Sequence, residues 1–400
     1  MTSSDMSFDQ WRRFLVIEGC DYENCPPGGQ LNFARQLVGQ YRREVALVGV
    51  TSDPALAIGR WGVKIVAGVA VPFLPFRRRS CGGERSLVPE RLKDYLALRK
   101  HRDAILATPM RDVFIQSPEV LMAVSGWGWK SLCYLFSGVE NPLAMSRYRW
   151  SGLVARAFDR RFFHALQTAE PILAAADREA IEELTRRGAG LLSGAGITSF
   201  PTRVDNEVFR PKSRQVVEQA LGIVDGAPLL LCCGRISREK GWELILAAFA
   251  HFLPDHPGSR LCFVGDGEDR AALQAAIAKR GLSRQAWIVG LQSPDAVSDW
   301  MNRADLVISG SYREGWPTVV LEALACGKAV VSTRVSGIGD MIMEGENGYI
   351  VTSRNPREFA EAMRRALRLR DPATISQSIA SRYALTSLKR DLDRLWLRAG

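Results

Sequence analysis

Short, nearly unbroken apolar runs alternate with stretches of helical period along most of the chain. Residues 13–18 read as a strand, followed by a loop through Pro26, Pro27, Gly28 and Gly29 and a helix over 31–41. Further strands are expected at 44–50, 64–69, 112–116, 131–136 and 171–175, the last before a polar helix over 177–187. The pattern restarts with strands at 228–233, 260–264, 286–289, 306–309 and 329–332, separated by helices over 241–253, 269–280 and 295–302. In the first of these helices Leu244, Ile245, Ala248, Phe249 and Phe252 fall on one face. Continuous apolar strands between helices imply parallel sheets covered on both faces, so the class is α/β with two doubly wound domains. The joint is expected near 204–212, giving domains over 1–205 and 206–375, with the tail 376–400 packing back on the first.

Composition narrows this picture. At 400 residues, 46% apolar and 24% charged, the chain is neither disordered, collagen-like nor a disulfide-stapled mini-protein. Its longest apolar runs, such as 229–233, fall far short of the ~20 residues that span a bilayer. Asp5, Asp9, Arg12 and Arg13 lie where a signal peptide would be apolar, so no export is expected and the location is cytoplasmic. The eight cysteines form no Cys-x-x-Cys pair and read as reduced structural thiols. The four histidines lack zinc-site spacing, so no metal is expected.

The net charge of +10 is uneven. Between Arg60 and Arg102 eleven Lys/Arg stand against three acids, and the stretch holds an apolar–aromatic run, 71–76, leading into Arg77, Arg78 and Arg79. Two readings stay open: an anionic membrane surface (peripheral on the inner face of the plasma membrane) or polyanionic substrate, and a merely solvated loop and helix. Nucleic acid is not expected, since no RNP, helix-turn-helix or finger signature is present.

Ligands of doubly wound sheets bind beyond the carboxyl ends of strands, where loops meet helix N-termini. Three loops qualify. Gly28 and Gly29 precede the first long helix and would let its N-terminus approach an anion, although Gly/Pro loops are mostly turns. In the loop 234–241, Arg235 and Lys240 could clamp a diphosphate, the first as a planar fork and the second as a point charge; a solvated pair is the plainer reading of this loop alone. The loop and helix 311–327 carry Glu314 before the helix and Glu322 inside an apolar helix over 318–326. A buried carboxylate is costly unless paired or bound to a polar ligand, so Glu322 either meets an arginine or grips a ligand. Backbone N–H groups near Trp316, Pro317, Thr318 and Val319 would face an anionic centre.

At this segment the sequence resembles the retaining glycosyltransferase family 4, nucleotide-sugar enzymes of the GT-B fold. Glu314 and Glu322 with Gly315, Pro317, Ala323, Ala325, Cys326, Gly327, Val330 and Val331 are similar to that family's acidic signature. Matches in the same order include Val204, Asp205, Phe209 and Pro211, then Gly234, Arg235, Lys240 and Gly241, residues 263–267, Val289 and Gly290, Ala304 and Asp305, and residues 346–348. The resemblance is dense over 200–352 and, over 1–200, rests on strand order with Gly28 and Gly29. It implies a GT-B architecture, two Rossmann-like domains facing a central cleft, with acceptor bound by the first and nucleotide-sugar donor by the second. It further implies that Arg235 and Lys240 contact the donor diphosphate, Glu322 the ribose and Glu314 the transferred sugar. Backbone at Val289–Leu291 would meet the base, and Gly28 and Gly29 would close over the phosphates. The implied reaction moves a hexose from a UDP- or GDP-sugar to a saccharide or lipid-linked acceptor, with retention and without metal or other cofactor, in polysaccharide or glycolipid biosynthesis. The histidine that many relatives carry in the first domain is missing from 136–142, where Glu140 or Asn141 could substitute or merely form a turn. Alternatives are another GT-B enzyme, an epimerase or phosphorylase, or a non-catalytic sugar-nucleotide-binding protein.

Overall fold

The computed structural model describes residues 13–23, 29–79, 88–138, 151–188, 190–192, 196–223 and 226–397. Contacts divide the chain into two units, residues 1–201 with 386–400 and residues 202–385. Unit 1 holds strands β1 (Phe14–Ile17), β2 (Val45–Thr51), β3 (Gly62–Val66), β4 (Val69–Arg78), β5 (Asp112–Ile115), β6 (Ser131–Phe136), β7 (Ile172–Ala174) and β8 (Ile197–Ser199). They lie in the order β3-β4-β2-β1-β5-β6-β7-β8, parallel except for the β3–β4 pair. The helices are α1 (Gly29–Tyr41), α2 (Glu90–Lys100), α3 (Arg102–Leu106), α4 (Pro118–Val124), α5 (Ser151–Leu166) and α6 (Arg178–Arg187). Helix α6 starts where Asp177 caps it, accepting a hydrogen bond from the Ala180 N–H at 3.0 Å.

Unit 2 holds β9 (Leu229–Cys233), β10 (Arg260–Val264), β11 (Ala286–Gly290), β12 (Leu306–Ser309), β13 (Val330–Thr333) and β14 (Gly348–Val351). All six are parallel, in the order β11-β10-β9-β12-β13-β14. Its helices are α7 (Arg214–Leu221), α8 (Trp242–Phe252), α9 (Arg270–Lys279), α10 (Pro294–Arg303), α11 (Thr318–Ala325), α12 (Pro356–Ala366) and α13 (Pro372–Ser381). The α8 face of Leu244, Ile245, Ala248, Phe249 and Phe252 is buried in one core with Leu230, Leu261, Phe263, Ile308 and Val331 of the strands. The apolar strands are thus buried by helices, as their two-faced hydrophobicity requires.

The run expected as one strand over 64–69 is instead a hairpin, turning at Ala67 and Gly68, both at positive φ. The apolar run that follows is not a surface feature. Val71, Phe73, Leu74 and Phe76 are buried because β4 is an interior strand, paired to β2 on one side and β3 on the other.

The chain leaves unit 2 at 385/386, later than the expected 375/376. Helix α13 stays with unit 2: Ser376 Oγ donates to the Lys328 carbonyl at 2.9 Å, and residues 383–385 bridge to Val204. Beyond it α14 (Leu388–Leu395) belongs to unit 1, burying Leu388 and Leu392 and packing Trp396 edge-on to Phe14 at 4.9 Å.

Candidate active site

Strand order fixes where each unit can bind. In unit 2 the chain runs from β9 outward through β10 and β11, then returns to start β12 on the other side of β9. Loops leaving β9 and β12 therefore diverge and open a crevice at their carboxyl ends, the usual ligand position in such sheets. Those loops are residues 234–241 and 310–317, the segments that carry Arg235, Lys240, Glu314, Gly315, Trp316 and Pro317.

Close backbone packing holds them together. Gly241, at φ +68, sits so near the Gly310 carbonyl that any Cβ would overlap it. A Cβ on Gly265 would likewise overlap the Gly234 carbonyl, and one on Gly267 the Ile236 carbonyl. The Tyr312 N–H donates to the Glu239 carbonyl at 2.8 Å, tying the second loop to the first. Across this seam Lys240 Nζ lies 2.6 Å from Glu314 Oε1, and Ser311 Oγ donates to the same oxygen at 2.7 Å. The lysine side chain is 38% exposed and the glutamate 18%, so the pair is partly screened by water and contributes on the order of 1 kcal/mol net. An incoming anion can take the cation over at little cost.

Helix α11 begins at Thr318 with Pro317 as its cap. The first intrahelical bond comes from the Val320 N–H to Pro317 at 3.0 Å, leaving the N–H groups of Thr318 and Val319 ahead of it. The Thr318 hydroxyl lies 3.2 Å from that of Thr202. One turn further in, Glu322 is half-buried on this apolar helix, and burial alone pushes its carboxyl up to about 8. Among the described residues no cation or hydrogen-bond donor accompanies that shift. No arginine pairs with Glu322 among the described residues, so of the two readings of this carboxyl the ligand-gripping one stays open.

Arg235 is exposed in the β9 loop, Val289 is half-buried at the end of β11, and Leu291 just after it is 81% exposed. Gly29 is exposed as the first residue of α1. Gly28 and Glu140 lie outside the described residues. Arg77 proves committed inward, bonding to Glu90 at 2.8 Å and to Asp94 through its Nε at 2.8 Å. Arg79 lies 3.7 Å from Glu90, while Arg78 is exposed and caps carbonyls of the 53–56 turn.

Unit 1 has its own switch point, between β1 and β5. There Glu18 is buried, accepting from Ser117 Oγ at 2.6 Å and from the Gln116 N–H, and desolvation pushes it up to about 8. Sequence reasoning passed over this pair, as it passed over Ser311. The two residues stand 99 positions apart, and only the strand order brings them together.

Residues 213–382 match the family model described as "Glycosyl transferases group 1". A curated relative, the D-inositol 3-phosphate glycosyltransferase of Kribbella flavida, is 31% identical over 218 residues, covering 52% of this chain and 50% of its own length. The lipopolysaccharide 1,2-N-acetylglucosaminetransferase of Salmonella typhimurium is 32% identical over 167 residues, 40% of this chain and 44% of that protein. The chain spans about half the length of the curated relatives it matches. Among solved structures, sucrose-phosphate synthase from Thermosynechococcus elongatus superposes with a TM-score of 0.77 at 17% identity, covering 96% of this chain and 98% of that one. Anabaena HepE in complex with UDP gives 0.69 at 16% identity, with the same coverage. The fold is GT-B, built from two Rossmann-like units, and the group 1 glycosyltransferase likeness lies within the second.

Proposed function

We propose that this chain transfers a hexose from a UDP- or GDP-sugar to a saccharide or lipid-linked saccharide acceptor, with retention at the anomeric carbon and without a metal. The observation that carries the reading is Glu322, a half-buried carboxyl with no cation among the described residues, one turn inside the helix whose N-terminus adjoins the Lys240–Glu314 pair. The donor diphosphate draws Lys240 away from Glu314, and Arg235 with the N–H groups of Thr318 and Val319 completes its cradle. Glu314, so released, accepts from hydroxyls of the transferred sugar, beside Gly315 and Trp316. Glu322 accepts from the ribose hydroxyls, and the base lies along Val289 to Leu291. The bond from the anomeric carbon to the phosphate oxygen breaks as the acceptor oxygen attacks from the same face. The acceptor proton passes to the departing phosphate. Fixed cations and N–H dipoles around that phosphate lower the barrier because they need no reorganisation as charge develops. The Anabaena neighbour was solved in complex with UDP and the curated relatives are glycosyltransferases, which supports a nucleotide-sugar donor.

The test is donor consumption over a panel of UDP- and GDP-sugars with candidate acceptors, comparing the natural chain with Glu322→Ala. Equal rates for both proteins refute the role given to this carboxyl. UDP or GDP binding with no turnover for any acceptor favours the non-catalytic alternative. Interconversion of the free sugar nucleotide favours an epimerase.

An anionic membrane surface at the cytoplasmic face is the proposed setting. No helix among the described residues is long and apolar enough to cross a membrane. With Arg77 engaged inward, the contact falls to Arg78 and to the outward face of α2, where Leu92 and Leu96 are exposed beside Arg99 and Lys100. Flotation with anionic vesicles should weaken as salt rises and when Arg78, Arg99 and Lys100 are neutralised together; insensitivity to both ends this part.

A further inference from the structure

Arg354 lies in the loop between β14 and α12, some 40 positions beyond the acidic segment. Exposed arginines usually contribute little, because water competes for their bonds. This one makes three contacts on three consecutive residues. Its Nη1 donates to the Gly310 carbonyl at 2.8 Å, its Nη2 to the Ser311 carbonyl at 2.9 Å, and its guanidinium lies 4.2 Å from the centre of the Tyr312 ring. A planar fork over two carbonyls, with a ring beneath it, is a geometry that lysine cannot copy.

Those three residues are the root of the loop that bears Glu314. On their other side stand the Gly241 backbone, pressed against Gly310, and the Glu239 carbonyl, which takes the Tyr312 N–H. Thr333 Oγ1 donates to the Ser311 carbonyl at 2.6 Å from β13 below. Ser311 in turn donates to Glu314. The segment 310–312 is therefore pressed between the β9 loop and one guanidinium, and it sets where the Glu314 carboxylate and its partner Lys240 meet.

We infer that Arg354 is a positioning residue: it clamps 310–312 so that Glu314 and Lys240 are held in register for the donor. It touches no substrate and acts through the loop. The catalytic arm of this inference rests on the glycosyltransferase reading, whereas the clamp itself does not, and the experiment separates the two.

Hydrogen exchange is measured on the ligand-free full chain, in peptides covering 309–316, for the natural protein, Arg354→Met and Arg354→Lys. Losing two charge-assisted bonds should speed exchange at the Tyr312 amide about tenfold in the methionine variant and less in the lysine variant, with β9 and β13 unchanged. Because the position is exposed, both variants should fold. With the UDP- or GDP-sugar that the natural chain consumes, Arg354→Met should lower kcat about 30-fold and move the donor KM by less than about threefold, since misplaced groups cost mainly in the transition state. Arg354→Lys should recover part of kcat, without reaching the natural value. Exchange and kcat both within twofold of the natural chain overturn the inference, as does faster exchange with kcat unchanged. If the natural chain consumes no nucleotide sugar, the functional reading fails, and unchanged exchange would still refute the clamp while faster exchange would uphold it.

Discussion

At Glu322 the apolar character of a helix and the acidity of one side chain pull against each other. The folded carboxyl titrates at about 8 against an ordinary 4.5, so between those values the folded chain holds a proton that the unfolded chain has lost. The contribution of this group to stability should then fall as pH rises from about 5 to 8, and level off above. Glu18, also raised to about 8, adds a slope of the same sign. Glu322→Gln should flatten part of the pH dependence of Tm in this window while weakening UDP or GDP binding about tenfold, because the amide keeps one acceptor oxygen for the ribose but turns the other into a donor. An unchanged slope would mean that the carboxyl is better solvated than its surroundings indicate. Lys240→Met separates binding from folding differently. The pair it breaks is partly buried and Ser311 still donates to Glu314, so urea unfolding should change by only about 1–2 kcal/mol. Nucleotide-diphosphate affinity should drop about 10- to 100-fold, as expected for a lost charge-assisted contact. Glu314 and Glu322 could be singled out in the sequence because their motif is local: they stand eight positions apart around one helix start. Arg354 and Glu18 could not, since each meets its partner only through the order of strands in a parallel sheet.

At the scale of elements, what positions the site is backbone proximity among loops leaving β9, β10 and β12. Gly241 and Gly68 offer a contrast, because both hold nearly the same left-handed conformation, φ +68 and +73. A Cβ at Gly68 meets nothing within 4 Å, whereas at Gly241 it would overlap the Gly310 carbonyl, which has no rotamer to yield. Gly68→Ala should therefore cost only the strain of the conformation, about 1 kcal/mol. Gly241→Ala should cost about 2–4 kcal/mol in the unfolding of unit 2 and disturb nucleotide binding, because the backbone itself must move. Equal costs at the two sites would show that the β9 and β12 loops are less tightly seated than the carbonyl contact requires. Helix faces such as that of α8 were readable from period alone, since burial of Leu244, Ile245, Phe249 and Phe252 follows the 3.6-residue spacing. The β3–β4 hairpin was not. Its turn is made by Ala67 and Gly68, and without a strong turn signal there the run reads as one strand. The segment after it then passes for a surface feature.

The whole molecule consists of two separately cored units, with a chain that passes through the second and finishes on the first. That ending is specific chemistry. Asp393 receives Arg13 at 2.7 Å and the Tyr41 hydroxyl at 2.7 Å, Lys389 pairs with Glu44, and Trp396 stacks edge-on to Phe14 while its Nε1 donates to Ser131. Leu388 and Leu392 are fully buried beneath them. The double apolar series announced two domains in the sequence, because each parallel sheet needs its own run of two-faced strands. The exact crossing point did not show, because α13 and α14 are both short amphipathic segments and nothing in their spacing says which core each one covers. Contacts decide it: α13 is held by Lys328, and residues 383–385 by Val204, before the chain leaves unit 2. Ending the chain after Leu385 should thus lower the melting of unit 1 by several degrees, since two buried leucines and a partly buried tryptophan are removed from a core they help to close. Unit 2 should melt as before and retain its nucleotide affinity. Calorimetry of the shortened chain, with and without UDP or GDP, follows both transitions. A shift confined to the nucleotide-responsive transition would reverse the assignment of the tail, and an equal shift of both would mean that the two units unfold as one.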